Sequence, residues 1–271
     1  MTIWLALLLG IVQGVCEFLP ISSSGHLLML QTMFGLSEPT ASLFTVMLHV
    51  ATLVAVCVVY RKLLWKLIKH PIQKTVGLLI LATIPTVLFA LIMKKVSPLD
   101  GFYADAELGK YLGVGFILTS VLLVVSDMLL NKLQKRDMKS MKVKDALVVG
   151  GMQCLGVFPG VSRSGSTITG ALLTGLDRKS AADFSFLMSI PAILGATVLE
   201  AADTIKEGIT LAGSDIVYIV VGMIAAGVTG YFAIRFMIKL ITKRRLWGFA
   251  VYTGVLGVFV ILSQIFGWAG F

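Results

Sequence analysis

The sequence predicts an all-α, polytopic membrane protein, and three observations carry the prediction. Of its 271 residues, 57% are hydrophobic and only 14% charged, with a mean hydropathy of +0.94, far more apolar than a soluble domain. Several apolar runs reach the roughly 20 residues that a helix needs to cross a bilayer. The charges are not spread along faces but gathered in short stretches between those runs. A transmembrane barrel would instead show alternating segments of about ten residues, and none is present.

The first apolar run, Ile3–Val12, leads into Gln13–His26, QGVCEFLPISSSGH, and resumes at Leu27–Phe34 before a loop from Gly35 to Pro39. A short helix, a Pro/Ser/Gly break and a second short helix read as a re-entrant hairpin, a shape tolerated at membrane depth only where it lines a protein cavity. No basic region precedes the run and no small-residue cleavage site follows, so it is not read as a removed signal peptide. Full spans are expected at about Ala41–Tyr60, Val76–Met93 and Leu108–Leu130. The lysine-rich stretch Asn131–Lys144 follows. A second short run, Ala146–Val157, is broken by the end of Gln153–Thr167, QCLGVFPGVSRSGST, and continues at Ile168–Leu173 as a second hairpin. Three more spans are expected near Ala181–Ala201, Ile216–Ile238 and Trp247–Phe266.

Loop charge sets the expected orientation. Seventeen of the 23 Lys and Arg residues fall in Arg61–Lys74, Asn131–Lys144, Arg178–Lys179 and Lys239–Arg245. The opposite loops carry Lys94, Lys95, Lys110 and Lys206 beside five acids. The positive-inside bias puts the seventeen in the cytoplasm and both termini outside, so the first hairpin dips in from outside and the second from the cytoplasm. The net charge of +9 is thereby explained without nucleic acid. Cys16, Cys57 and Cys154 lie in apolar surroundings, an odd set with no metal spacing, and read as small buried hydrophobes.

A shift of 140 residues superposes the two motifs. Gly10, Gln13, Phe18, Ser22, Ser24 and Gly25 land on Gly150, Gln153, Phe158, Ser162, Ser164 and Gly165. Those are six identities in seventeen positions, against about one by chance. The register continues through Ala41 on Ala181 and Phe44 on Phe184. One membrane domain built of repeats about 1–131 and 141–271 is expected. Each is a hairpin plus three spans, and an odd number inverts the second relative to the first. Inverted repeats with broken helices that meet near the midplane are a known way to build a binding site in a membrane.

The repeats differ where chemistry would sit. Glu17 falls on Val157, Ser23 on Arg163 and His26 on Ser166. Gln13 and Glu17, at i and i+4, share a helix face. A carboxylate at membrane depth is a functional candidate with a partner to be named; a divalent cation, His26 and Arg163 are the choices. Ser22-Ser23-Ser24 and Ser162-Arg163-Ser164 precede helical runs. Helix capping explains one Ser in each, but not Arg163. A helix N-terminus with hydroxyls and a guanidinium is a phosphate site in physical terms, to which Thr167 could add a hydroxyl. His26, three residues after Ser23, suits nucleophilic or acid–base work, or else caps a polar loop. His49, mid-span, reads as a hydrogen bond to a neighbouring helix. Asp183 reads as a partner of Arg178 or Lys179.

The two motifs together, QxxxE with SSSGH over Gln13–His26 and PGVSRSGST over Pro159–Thr167, resemble the undecaprenyl-pyrophosphate phosphatase family, also called bacitracin-resistance proteins. The resemblance covers nearly the whole chain. It implies a bacterial inner-membrane hydrolase that converts undecaprenyl pyrophosphate to the monophosphate and inorganic phosphate, recycling the lipid carrier of cell-wall synthesis. It implies a divalent cation, Mg2+ or Ca2+, held by Glu17 and Gln13, and a site that faces outside. It further implies Glu17, Ser23, His26 and Arg163 as catalytic residues, with Ser22, Ser24, Ser162, Ser164 and Thr167 around the phosphates. Gln13 is the amide variant of a position that is otherwise acidic, a weaker ligand for a hard cation. Some members carry an acid where this chain has Thr45. The expected partners are the C55 isoprenoid pyrophosphate and membrane lipid, with a homodimer left open and no nucleic acid. The residues alone also fit an inverted-repeat secondary transporter or a lipid-phosphate flippase.

Overall fold

A computed structural model describes residues 1–36, 38–129, 136–206, 213–243 and 245–268. Among these residues the chain forms twelve α-helices and no sheet: α1 Ile3–Phe18, α2 Ser23–Met33, α3 Glu38–Val59, α4 Arg61–Lys69, α5 Lys74–Lys95, α6 Leu99–Glu107, α7 Leu112–Leu129, α8 Val143–Leu155, α9 Arg163–Leu173, α10 Arg178–Lys206, α11 Gly213–Lys243 and α12 Trp247–Phe266. Five are long and apolar enough to cross a membrane, and a sixth span is reached if α6 and α7 count as one bent segment. Large apolar side chains such as Trp4, Ile224 and Val255 point outward on all sides, as a lipid-facing surface requires. The chain is a multi-pass membrane protein.

Three boundaries differ from the sequence expectation, each for a physical reason. The apolar run at Leu108–Leu130 does not begin as one helix. Gly109 has φ +89°, Lys110 leaves the helix to pair with Asp105 at 2.7 Å, and α6 meets α7 at 88°. The Arg61–Lys74 loop contains α4, which buries Leu67 and leaves its lysines outside, with Lys69 over the Trp65 ring. Such a helix is built to lie at a membrane surface. In the first hairpin, α1 runs unbroken through Gln13 and Glu17 to Phe18, so the break is confined to residues 19–22. Part of the basic stretch 131–144 lies outside the described residues.

Small residues set the close helix pairs. A Cβ at Gly10 would strike the Gly222 carbonyl, and one at Gly14 would strike Thr229 and Ala226, so α1 lies directly on α11. Gly150 abuts the Ala82 carbonyl in the same way and brings α8 onto α5. Gly113 and Gly257 make the contact between α7 and α12. Close approach through Gly and Ala replaces the hydrophobic drive that lipid removes. Between these pairs sits a core of Phe18, Phe184, Phe186, Ile168 and Leu172, which fixes both hairpins at the centre.

Candidate functional site

The two hairpins touch at their tips. A Cβ on Gly25 would come within 2.9 Å of the Gly160 Cα, and one on Gly165 within 3.4 Å of Pro20. The Ser164 hydroxyl donates to the Leu19 carbonyl across the contact at 3.0 Å. Thr119 on α7 supports the second tip: it donates to the Gly160 carbonyl at 3.0 Å and accepts from the Ser162 N–H at 2.8 Å. Ser22 and Ser162 cap α2 and α9, each accepting from the N–H of the glycine three residues on. That is the one capping serine per motif that the sequence led us to expect.

Glu17 lies at the centre. Its side chain is 4% exposed. One carboxylate oxygen accepts from Arg163 Nη2 at 2.7 Å. The other accepts from the Ser23 hydroxyl at 2.6 Å and from Gln13 Nε2 at 3.1 Å, and lies 3.7 Å from His49 Nε2. Of the candidate partners for Glu17, the fold supplies Arg163. A buried ion pair of this kind stands only where further hydrogen bonds satisfy the remaining lone pairs, and Ser23 and Gln13 do that. The electrostatic design is thus one acid from the first hairpin neutralised by one cation from the second.

His26 is placed differently from the expectation of a Ser–His pair. Nδ1 is 2.6 Å from the Ser22 carbonyl and Nε2 is 2.7 Å from the Tyr252 hydroxyl. Neither nitrogen meets Ser23 or Glu17, because the first turn of α2 folds the ring back over the Ser22 carbonyl. The hydroxyls of Ser162, Ser164 and Thr167 are also engaged within the protein. Ser162 caps α9 and Ser164 bridges the tips. Thr167 donates to the Arg163 carbonyl at 2.9 Å and meets Ser185 at 2.6 Å. A phosphate reaches them only by displacing those bonds. Ser22 is buried, Ser23 and Ser24 are half-buried, and the Arg163 side chain is 15% exposed.

Two residues gain importance from the structure. His49, read as bonded to a neighbouring helix, bonds Nδ1 to the Thr45 carbonyl of its own helix at 3.0 Å and turns Nε2 to Glu17. Tyr252, one turn into α12, meets His26. Asp183 accepts from the Tyr60 hydroxyl at 2.7 Å, a contact no local signal marks.

Among the described residues, two buried polar atoms beside Glu17 meet no partner: Gln13 Oε1 and Arg163 Nη1. Leaving such groups unmet is costly, and they define what the site can take. A free guanidinium N–H points to an oxyanion. A free amide oxygen next to a carboxylate is a donor set for a hard cation. Among the described residues no three His, Cys, Asp or Glu side chains converge. Glu17 and the amide oxygen of Gln13 are the two protein oxygens here that could hold a hard cation, which would need its other oxygens from water or phosphate.

A helical membrane protein whose two broken helices meet at one buried acid–cation pair, with an unmet N–H for an oxyanion, belongs to the class of membrane proteins that handle phosphorylated lipids or other anions. The sequence matches the family model for the bacitracin-resistance protein BacA over residues 6–259, and the chain belongs to that family. It is 41% identical over 262 residues to an undecaprenyl-diphosphatase of Carboxydothermus hydrogenoformans, covering 97% of each chain. It is 40% identical over 283 residues to one of Alkaliphilus metalliredigens, covering 98% of this chain and 100% of that one. It is 39% identical over 287 residues to one of Treponema denticola, covering both chains fully.

Proposed function

We propose that this chain is a phosphatase of the bacterial inner membrane that hydrolyses undecaprenyl pyrophosphate to undecaprenyl phosphate and inorganic phosphate. The observation that carries the reading is the Glu17–Arg163 pair with its two unmet neighbours, Arg163 Nη1 and Gln13 Oε1. Together they offer a donor for a phosphate oxygen and acceptors for its counter-ion. Glu17 and Gln13 would hold a Mg2+ or Ca2+ ion, which supplies charge neutralisation to the pyrophosphate when bound.

The chain's own residues divide the remaining work. Arg163 holds the terminal phosphate, and the N-terminus of α9 adds its dipole. Ser23 attacks the terminal phosphorus, the bridging P–O bond breaks with undecaprenyl phosphate as the leaving group, and water then cleaves the phospho-serine to release inorganic phosphate. Glu17 takes the proton, because the Ser23 hydroxyl already donates to it at 2.6 Å. His26 fixes the turn that carries Ser23. Ser22, Ser24, Ser162, Ser164 and Thr167 shape the two tips around the phosphates. The isoprenoid tail lies between helices in contact with lipid. We read the basic loops as cytoplasmic, which puts the mouth of the site outside. The halves 1–131 and 141–271 are read as repeats. The matching extents of α2 (Ser23–Met33) and α9 (Arg163–Leu173), 140 residues apart, support that.

The test is phosphate release from C55 isoprenoid pyrophosphate by the purified chain in detergent. Release that EDTA suppresses and Glu17→Ala abolishes is expected. Binding of the lipid without release would overturn the enzyme in favour of a transporter.

A further inference from the structure

We propose that Tyr252 is a positioning residue for the reaction: it anchors His26, and His26 holds the strained Ser22 turn that aims the Ser23 hydroxyl at Glu17. The inference rests on the roles of Ser23 and Glu17 given above. Ser22 is the one non-glycine residue with positive φ among the described residues, at +69°. A residue with a Cβ is strained there. Its counterpart Ser162 sits at φ −70°, so capping alone does not demand the strain. What the left-handed turn achieves is local: it precedes Ser23, whose hydroxyl reaches Glu17.

Gly25 holds the Ser22 hydroxyl, and His26 braces the carbonyl side of the turn. The Ser22 carbonyl accepts from the His26 backbone N–H at 3.3 Å and faces His26 Nδ1 at 2.6 Å. In the second hairpin Ser166 does the same job, its N–H and its hydroxyl both donating to the Ser162 carbonyl at 2.9 Å. A serine completes that brace by itself. His26 leaves a second nitrogen to satisfy, and here the last helix enters. A carbonyl only accepts, so Nδ1 carries the proton of the neutral ring. Nε2 is then bare and accepts from the Tyr252 O–H at 2.7 Å. The two rings are nearly parallel, 9° apart, and Phe116 meets the His26 ring at 81°. The imidazole is thereby fixed at both nitrogens.

Tyr252 is itself 46% exposed. It borders a cavity of about 450 Å³ lined by Ile21, Leu240, Arg245, Gly248 and Phe249. Loss of its hydroxyl therefore opens no void in the core, and the one group left without a partner is His26 Nε2.

The experiment compares the full-length wild type with Tyr252→Phe in detergent. In phosphate release, kcat should fall about tenfold with KM within about twofold, the size of one buried hydrogen bond. With ¹⁵N-labelled histidine, and His26 assigned from a His26→Gln variant, wild type should show the Nδ1–H tautomer with a hydrogen-bonded Nε2. The Nε2 resonance should move to its unbonded position in Tyr252→Phe. Unchanged kcat, or an unmoved His26 Nε2 resonance, overturns the proposal. If wild type releases no phosphate, the enzymatic reading fails. The resonance comparison then decides the anchor alone: a shift keeps the Tyr252–His26–Ser22 brace and no shift removes it.

Discussion

Arg163 and Glu17 are joined at 2.7 Å with side chains 15% and 4% exposed, and their coupling can be measured. With charge centres about 4 Å apart and an effective dielectric of about 20, the attraction is about 4 kcal/mol. Breaking a buried pair by removing one partner costs about 3–5 kcal/mol, and a lone charge at the centre of a membrane helix costs about 3 kcal/mol on insertion scales. Arg163→Met should therefore destabilise the protein by about 3–5 kcal/mol, because Glu17 is left buried and ionised. Glu17→Gln should cost less, about 1–3 kcal/mol, since Arg163 keeps some contact with solvent. The double variant buries neither charge and should return to within about 1 kcal/mol of wild type. Denaturation in mixed micelles, followed by circular dichroism, reads all four proteins. Phosphate release should be lost in both singles and in the double. Recovery of stability without recovery of activity is the pattern that separates pairing from chemistry. Destabilisations that simply add, within about 0.5 kcal/mol, would refute the charge pair as the organising contact of the site.

Ser23→Ala should lower kcat by at least about 100-fold. Ser24→Ala, whose hydroxyl among the described residues meets Ser22 at 3.4 Å, should stay within about threefold; equal losses would remove Ser23 as the attacking group. Gln13→Glu places a second carboxylate where an amide oxygen is unmet. It should tighten Ca2+ binding by about tenfold in equilibrium dialysis without substrate, and weaker binding would sink the donor set. Gly25→Ala forces a Cβ to within 2.7 Å of Phe116 and 2.9 Å of Gly160 backbone, and should cost about 1–3 kcal/mol and most activity. Gly77→Ala, with open space around it, should be neutral or slightly stabilising by the same denaturation assay.

What the sequence made legible was whatever has a local signal. Apolar run length located the spans, and Pro, Ser and Gly inside short runs located the two hairpins. The i, i+4 spacing of Gln13 and Glu17 predicted a contact that the structure makes at 3.1 Å. Arg163 stood among three candidate partners of Glu17, and the fold brings it to 2.7 Å. Contacts made by packing were not legible. Tyr252 is 226 residues from His26, and nothing in WGFAVYTG separates it from an interface tyrosine. His49 looked like any mid-span histidine because its register against α1 depends on Gly10 and Gly14 drawing α1 onto α11, beside α3. The pairing of His26 with Ser23, natural from a separation of three residues, failed because a side chain in the first helical turn folds back toward the N-cap carbonyl. The bend at Gly109 falls at the very start of the run taken to begin at Leu108, where a lone glycine does not announce its positive φ.

The contacts that hold the tips together are crossed. Gly10 meets Gly222 while Gly150 meets Ala82, and Gly25 meets Gly160 while Gly165 meets Pro20. Each pair becomes the other when 140 residues are added to one member and subtracted from the other. Crossed contacts are what two like units make about a two-fold axis, which supports the repeat reading. They also explain why the site cannot be symmetric. Equivalent residues near such an axis lie close to each other, so a retained acid on both hairpins would put two carboxylates together in a medium of low dielectric, where like charges cannot both ionise. Val157 in place of a second acid removes that repulsion. Arg163 in place of a second Ser23 supplies the missing cation at 2.7 Å. On the repeat reading the two departures are complementary, and neither hairpin holds a balanced pair without the other.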